Sequence, residues 1–283
     1  MNPLPADRSA PAMMLAGVAC FVLNDVLVKL AAQSMPMAQL LCLRGLLASV
    51  FLLALGVATR VPLRIGALTD CRVVVRALVD ALATFAYVAS IASLALADAT
   101  AINMATPLIV TVIGATVLGH RIGLARWITI VAGFAGVLLI VQPAGGNFSV
   151  WSLAMLASAT LTACRDLLTP SVSRDIPVLQ MTLVATASVT LLSAAWAATQ
   201  TWQPLTAPQL LLMAGAAACQ SVAHLLMTTA FRRGVMSTLA PLRYWSLLFS
   251  AALGYALWGT VPNALAALGM VVVVGAGLRL MRR

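Results

Sequence analysis

The chain contains no glutamate. Its seven acidic residues are all aspartate, against seventeen lysines and arginines, and only 8% of its 283 residues are charged. An ordinary globular domain is about 25% charged, so this sequence cannot cover a water-facing exterior. Histidine is nearly missing too, with two copies, and there is no Asp-rich motif. An enzyme working inside an apolar chain needs a nucleophile, a metal pair or a phosphate site, and none is visible, so the chain reads as not an enzyme. The five cysteines (Cys20, Cys42, Cys71, Cys164, Cys219) are scattered along apolar segments, with neither metal-ligand spacing nor a disulfide framework. They read as packing residues. No cofactor and no metal is implied. The N-terminal "MNPLPADRSAPA" is short and polar and shows no signal-peptide cleavage pattern.

What the chain does have is hydrocarbon. Hydrophobic residues make up 62% of it, mean hydropathy is +1.03, and apolar runs of about 20 residues recur throughout, each long enough to cross a bilayer core as a helix. The fold class is an all-α polytopic membrane protein. Reading runs between charged or Pro/Gly breaks gives ten spans, near 11–32, 37–59, 73–94, 97–119, 124–142, 149–171, 177–199, 208–231, 236–258 and 262–280. The loops are short, which leaves no room for a soluble domain.

The net charge of +10 would suggest nucleic acid in a soluble protein; here most basic residues fall between spans, so no nucleic-acid partner is expected. One set of span ends carries Arg8, Arg60, Arg64, Arg72, Arg121, Arg126, Arg174, Arg232, Arg233, Arg279, Arg282 and Arg283. The opposite loops, around Ser34, Asp98, Gly145, Gln203 and Thr260, carry no Lys or Arg. Basic loops stay on the cytoplasmic side, so both termini are expected inside.

A shift of 141 residues lays "NDVLVKLAAQSMPMAQ" on "RDLLTPSVSRDIPVLQ", matching Asp25 with Asp166, Pro36 with Pro177 and Gln39 with Gln180. A shift of 140 lays "VLGHRIG" on "LWGTVPN", matching Gly119 with Gly259 and Asn103 with Arg243. Two halves of five spans, residues 1–145 and 146–283, must enter the membrane from opposite sides because five is odd. That is an inverted-topology repeat, an arrangement that recurs in secondary transporters.

In "LALADATAINMATPLIVTVIGATVLGHRIGLARWITIVAGFAGVLLIV" (Leu94–Val141) and "APLRYWSLLFSAALGYALWGTVPNALAALGMVVVVGAGL" (Ala240–Leu278) the chain resembles the EamA-type members of the drug/metabolite transporter superfamily. The resemblance implies ten helices in a bacterial inner membrane, a central cavity bounded mainly by spans 1, 3, 4, 6, 8 and 9, and the fifth and tenth spans outside it. Members usually carry a Glu after the "LG" closing spans four and nine; here His120 and Thr260 stand there.

A charge within the bilayer faces a partner or a wet cavity, and such charges supply the candidate site. Asp80, Arg165, Asp166, His224 and Arg243 fall in the inner half; Asp25, Lys29, Arg44 and Asn103 in the outer half. Arg165 and Asp166 are neighbours pointing about 100° apart, which favours Arg165 lining the cavity while Asp166 holds Arg76, Arg243 or a backbone turn; a salt bridge locking span six to a neighbour is the plainer alternative. Asp25 and Lys29, at i,i+4, neutralise each other, or Arg44 meets Asp25. Arg243 sits in "PLRYWS", where Pro241 breaks helical hydrogen bonding. Arg76, Asp80, Thr84 and Tyr87 form a polar stripe on span three, and Gln220, His224 and Thr228 one on span eight. Tyr244 and Trp245 could wall a pocket, whereas Trp127, Trp151, Trp202 and Trp258 fall near span ends as an interfacial belt does. The segments "GFAG" and "GAG" read as close helix packing or a homodimer face.

The substrate-binding set is therefore Arg165, Arg243, Asp80, Tyr87, His224, Tyr244, Trp245, Asn103 and Gln220, with Asp25, Asp166, Lys29 and Arg44 as proton-coupling or gating candidates. Opposed charges in near balance suit a small zwitterionic, amino acid-like metabolite, carried by alternating access and, by the resemblance, more commonly exported. Two other readings stay open. Relatives of this type import riboflavin or S-adenosylmethionine, and a flat aromatic solute would lean on Tyr87, Tyr244 and Trp245; a scaffold or receptor that moves nothing is the other.

Overall fold

The computed structural model describes residues 9–61, 70–117, 119, 123–142, 149–173, 175–233 and 239–281. Among them there is no strand; eleven α-helices follow one another: α1 (Ala10–Ala31), α2 (Met37–Ala58), α3 (Cys71–Ser93), α4 (Leu96–Asn103), α5 (Thr106–Thr116), α6 (Leu124–Val141), α7 (Val150–Leu168), α8 (Val178–Ala197), α9 (Ala207–Arg233), α10 (Trp245–Trp258) and α11 (Ala264–Met281). Helices satisfy their own backbone groups, which the hydrocarbon cannot.

The boundaries follow local chemistry. Pro36 and Pro177 stand just before α2 and α8 with nearly the same extended backbone, φ −59° with ψ 142° and 140°. Asp70 caps α3 by accepting from the Arg72 amide at 2.9 Å, and Ser149 caps α7 by accepting from the Trp151 amide at 3.3 Å. Gly119 and Gly259 take positive φ, +70° and +63°, a conformation in which a Cβ would crowd the backbone.

Two of the expected apolar runs are interrupted. The fourth is broken between Asn103 and Thr106, where the Thr106 hydroxyl donates to the Asn103 carbonyl at 2.7 Å and Pro107 follows without an N–H to give. The ninth opens as a 3-10 turn, Ala240–Tyr244, containing Pro241; its expected start at 236 lies outside the described residues. Seven segments are long and apolar enough to cross a membrane, with α4 and α5 together making one of them, Leu96–Thr116. Three expected spans fall short of that measure. The α7 helix carries Arg165 and Asp166, α10 gives its first residues to the 3-10 turn, and the apolar stretch of α11, Ala264–Arg279, is short.

Packing is specific. The α1 helix lies along α9, α3 along α7, α2 along α8 and α6 along α11; α3 also touches α8, α2 touches α9, α4 and α5 touch α7, α1 touches α10, and α4 touches α10. The glycines of "GFAG" are used inside the chain: a Cβ on Gly136 would meet the Gly269 carbonyl at 2.9 Å, so α6 and α11 approach backbone to backbone. Outward, Val57, Leu124, Val131, Leu191, Leu211 and Val271 are all largely exposed. Such a surface would aggregate in water and is what acyl chains solvate.

Candidate functional site

The polar residues gather into two clusters, both built on α3. Asp80 and Tyr87 are seven residues apart, or about 10 Å along the axis at 1.5 Å per residue, and each anchors one of them.

The first cluster centres on Arg165. Its Nη1 donates to Asp80 Oδ1 at 2.6 Å, its Nη2 to Asp166 Oδ1 at 2.8 Å and its Nε to the same oxygen at 3.1 Å. One guanidinium on α7 thus joins α3 to its own chain neighbour. The expectation that Arg165 and Asp166 face different groups is corrected here: a long guanidinium folds back across the 100° that separates their Cα–Cβ bonds. Asp166 does not bond Arg76 or Arg243; Arg76 Nε donates instead to the Thr169 hydroxyl at 3.0 Å. The side chains stay partly accessible, 21% for Arg165, 20% for Asp80 and 38% for Asp166. Each of these carboxylates has its Oδ2 free of the ion pair. Arg243 is exposed and lies in the field of Asp166 and Arg165, and among the described residues nothing bonds its guanidinium. His224 stacks edge-on against Phe21, with centroids 4.9 Å apart, and feels Asp80, Arg165, Arg76 and Arg44.

The second cluster is buried. The Tyr87 hydroxyl donates to Asp25 Oδ2 at 2.6 Å, Asn24 Nδ2 donates to Asp25 Oδ1 at 3.0 Å, and Arg44 Nη1 donates to Asn24 Oδ1 at 3.4 Å. Arg44 therefore reaches Asp25 through Asn24, while its Nε finds no acceptor. The expected Asp25–Lys29 pair is absent. Lys29 donates to the Ile91 carbonyl at 2.8 Å and to the Leu94 carbonyl, and sits 5.6 Å from the Trp258 ring centroid. Its charge closes the carbonyl end of α3, where the helix dipole favours a cation.

Other expected residues lie apart from the clusters. Tyr244 is buried with its ring against Gly277 of α11 and its hydroxyl unpartnered, so it faces the α11 side. Trp245 is exposed beside Phe249, centroids 6.2 Å apart. Asn103 ends α4 with its Oδ1 buried and unpaired. Gln220 is half-buried; the Thr228 side chain and His120 lie outside the described residues. Sequence reasoning missed Asn24 as the bridge, although it stands beside Asp25 and opposite Arg165 in the repeat alignment. It also missed Thr169 as the Arg76 acceptor, for which no signal existed.

The arrangement sets four arginines and three aspartates among the helices, Asp25 and Arg44 buried and the others at least partly accessible, all but Arg243 held by hydrogen bonds, with no cluster of His, Cys or Asp able to hold a metal among the described residues. Ionised side chains held between helices whose outer face is hydrocarbon are what a polytopic membrane protein that moves polar solutes carries. Residues 8–142 match the model of the EamA-like transporter family. It is 28% identical to the pseudopaline exporter CntI of Pseudomonas aeruginosa over 98% of both chains, and 29% identical to a riboflavin transporter of Rhizobium johnstonii over 73% of this chain and 68% of that one. An S-adenosylmethionine uptake transporter of Rickettsia prowazekii is 26% identical over 64% of this chain and 61% of that one. A solved crystal structure at 19% identity, covering 94% of this chain and 95% of its own, superposes with a TM-score of 0.64, which establishes a shared fold. The chain is a transporter rather than an enzyme, and a multi-pass protein of the bacterial inner membrane.

Proposed function

We propose that the chain is a secondary transporter for a small zwitterionic, amino acid-like metabolite, working by alternating access and in the export direction, with both termini cytoplasmic. Its halves, 1–145 and 146–283, are inverted repeats. The neighbour relations support this: exchanging α1, α2, α3, α4–α5 and α6 for α7, α8, α9, α10 and α11 turns α1–α9 into α7–α3, α3–α8 into α9–α2, and α4–α5 against α7 into α10 against α1, while α2–α8, α4–α10 and α6–α11 map onto themselves. The matched capping prolines Pro36 and Pro177, the positive-φ Gly119 and Gly259, and the buried Gln39 and Gln180 support it locally.

The observation that carries the substrate class is a bare Arg243 guanidinium in the field of an Arg165 already held by two carboxylates. Arg243 takes the carboxylate of the solute. Asp166, the most accessible of the cluster, takes the amine through the Oδ2 that the ion pair leaves free. An anchor of this kind gives each solute charge a partner as it leaves water. In counterflow with proteoliposomes, Arg243→Ala abolishes uptake of labelled substrate while the protein keeps its melting temperature; full uptake by that variant removes Arg243 from the site.

The second reading is a flat vitamin or cofactor, and the exposed Trp245, two residues along the chain from Arg243, favours it. Trp245→Ala then weakens transport more than Arg243→Ala does. The pseudopaline exporter aligns with this chain from end to end, the riboflavin and S-adenosylmethionine transporters with only part of it, and that difference supports export.

A further inference from the structure

Asp98 belongs to neither cluster. By sequence it falls in a loop; in the fold it occupies the first turn of α4. There the end of α3, the end of α6 and the segment leading into α11 surround a cavity of about 250 Å³. One wall is apolar, with Leu94, Ile140 and Ala266. The other carries Asp98, Gln142 and Asn263. Among the described residues no lysine, arginine or histidine lines it.

Three observations converge on this pocket. First, Asp98 Oδ1 is wholly buried and accepts no hydrogen bond, and no charged side chain among the described residues acts on it. The positive end of the short α4 offsets only part of the cost of burying a carboxylate, and Lys29, which reaches the Leu94 carbonyl at the pocket's edge, is spent on the α3 carbonyls. Second, the polar wall is rigid. Gln142 Nε2 donates to Asn263 Oδ1 at 2.9 Å, Asn263 Nδ2 donates back to Gln142 Oε1 at 3.2 Å, and Asn263 Oδ1 also accepts from the Ala266 amide at 2.8 Å. These amides are committed to one another, so Asp98 supplies the single uncommitted charge. Third, the space holds several waters, and half of its wall is hydrocarbon. A bare metal ion needs a tight shell of oxygens, which this wall does not offer; a small molecule with one cationic end and a short apolar body fits both halves.

We propose that this pocket is a second solute subsite, which binds the ammonium group of a small organic molecule with Asp98 as its counter-charge. The pocket chemistry stands by itself. Its place on the export route rests on the proposed carriage of an amino acid-like solute, for which it is a resting point at the end of the bundle where the loops carry no basic residue.

The test uses the purified full chain in lipid–detergent micelles and measures binding of n-butylammonium by calorimetry, with n-butanol, butyrate and sodium chloride as comparison probes. The wild type binds n-butylammonium saturably, at least 10-fold more tightly than it binds n-butanol or butyrate. Asp98→Asn weakens that binding at least 10-fold. Ala95→Leu, which narrows the pocket and keeps the carboxylate, does the same, and it decides the matter if Asp98→Asn fails to fold. Unchanged binding in either folded variant, n-butanol binding as tightly as n-butylammonium, or saturation by sodium alone overturns the proposal. Arg243→Ala separates the two ideas: loss of transport with n-butylammonium binding retained supports both, whereas retained transport in Arg243→Ala, with binding lost in Asp98→Asn and Ala95→Leu, leaves the subsite standing and sinks the Arg243 site.

Discussion

Arg165 holding Asp80 and Asp166 at once makes a sharp energetic prediction. Two unit charges about 4 Å apart attract by about 4 kcal/mol at an effective dielectric of about 20. Roughly a fifth of the Arg165 and Asp80 side chains is accessible, so water screens part of this, and about 2 kcal/mol is a fair working value for that link. Asp80→Asn leaves Arg165 bonded to Asp166 and is expected to cost about 1–2 kcal/mol. Arg165→Gln strands two carboxylates facing each other and is expected to cost about 3 kcal/mol, near the low end for a broken buried pair because both acids can reach water. The double variant is expected near 3 kcal/mol, not near the sum, giving a coupling of about 1–2 kcal/mol. Unfolding by dodecyl sulfate in mixed micelles, followed by far-ultraviolet circular dichroism, measures all three. If the double variant equals the sum to within about 0.5 kcal/mol, the usual margin for independent sites, the Arg165 bridge between α3 and α7 does not exist in the membrane.

Lys29→Met leaves the Ile91 and Leu94 carbonyls without their donor and is expected to lower stability by about 2 kcal/mol; a loss under about 0.5 kcal/mol in the same unfolding assay excludes the capping role. Gly269→Val places a Cβ 2.5 Å from the Gly136 carbonyl, an overpacking expected to cost about 1–3 kcal/mol or more, whereas Gly275→Ala meets nothing within 4 Å and is expected to leave the melting temperature unchanged. Cys71 is exposed at the start of α3, so a membrane-impermeant maleimide is expected to label it in inside-out vesicles and not in intact spheroplasts; the reverse pattern inverts the topology.

How much of this was legible beforehand follows from the scale of each interaction. The helix boundaries at Pro36 and Pro177 could be read because a missing N–H and a fixed φ act locally. The break between Asn103 and Thr106 was not read, since Pro107 in an apolar run looks like any tolerated membrane proline until the hydroxyl of Thr106 is seen holding the Asn103 carbonyl. Glycine spacing in "GFAG" showed that something comes close, without saying what. The answer, Gly269 on α11, lies 133 residues from Gly136 and depends on the pairing of whole helices.

The site repeats the lesson with charges. Composition and span boundaries were enough to single out Asp25, Asp80, Arg165, Asp166 and Arg243, because an ion in an apolar run is costly whatever surrounds it. Partnership could not be read the same way. Lys29 and Asp25 have good helical spacing, yet Lys29 goes to the α3 carbonyls and Asp25 to Tyr87. Two unmet acceptors at a helix end, together with the Trp258 ring, outcompete one carboxylate that already accepts from a phenol and an amide. That exchange has a consequence for transport. With Lys29 anchored away from it, the buried cluster balances Asp25 against Arg44 alone, while the Arg165 cluster sets Asp80 and Asp166 against Arg76, Arg165 and Arg243. On the proposed reading a solute carboxylate is drawn to the Arg165 cluster, where a cation is in excess, while Asp98, apart from both clusters, is a separate counter-charge for an ammonium group.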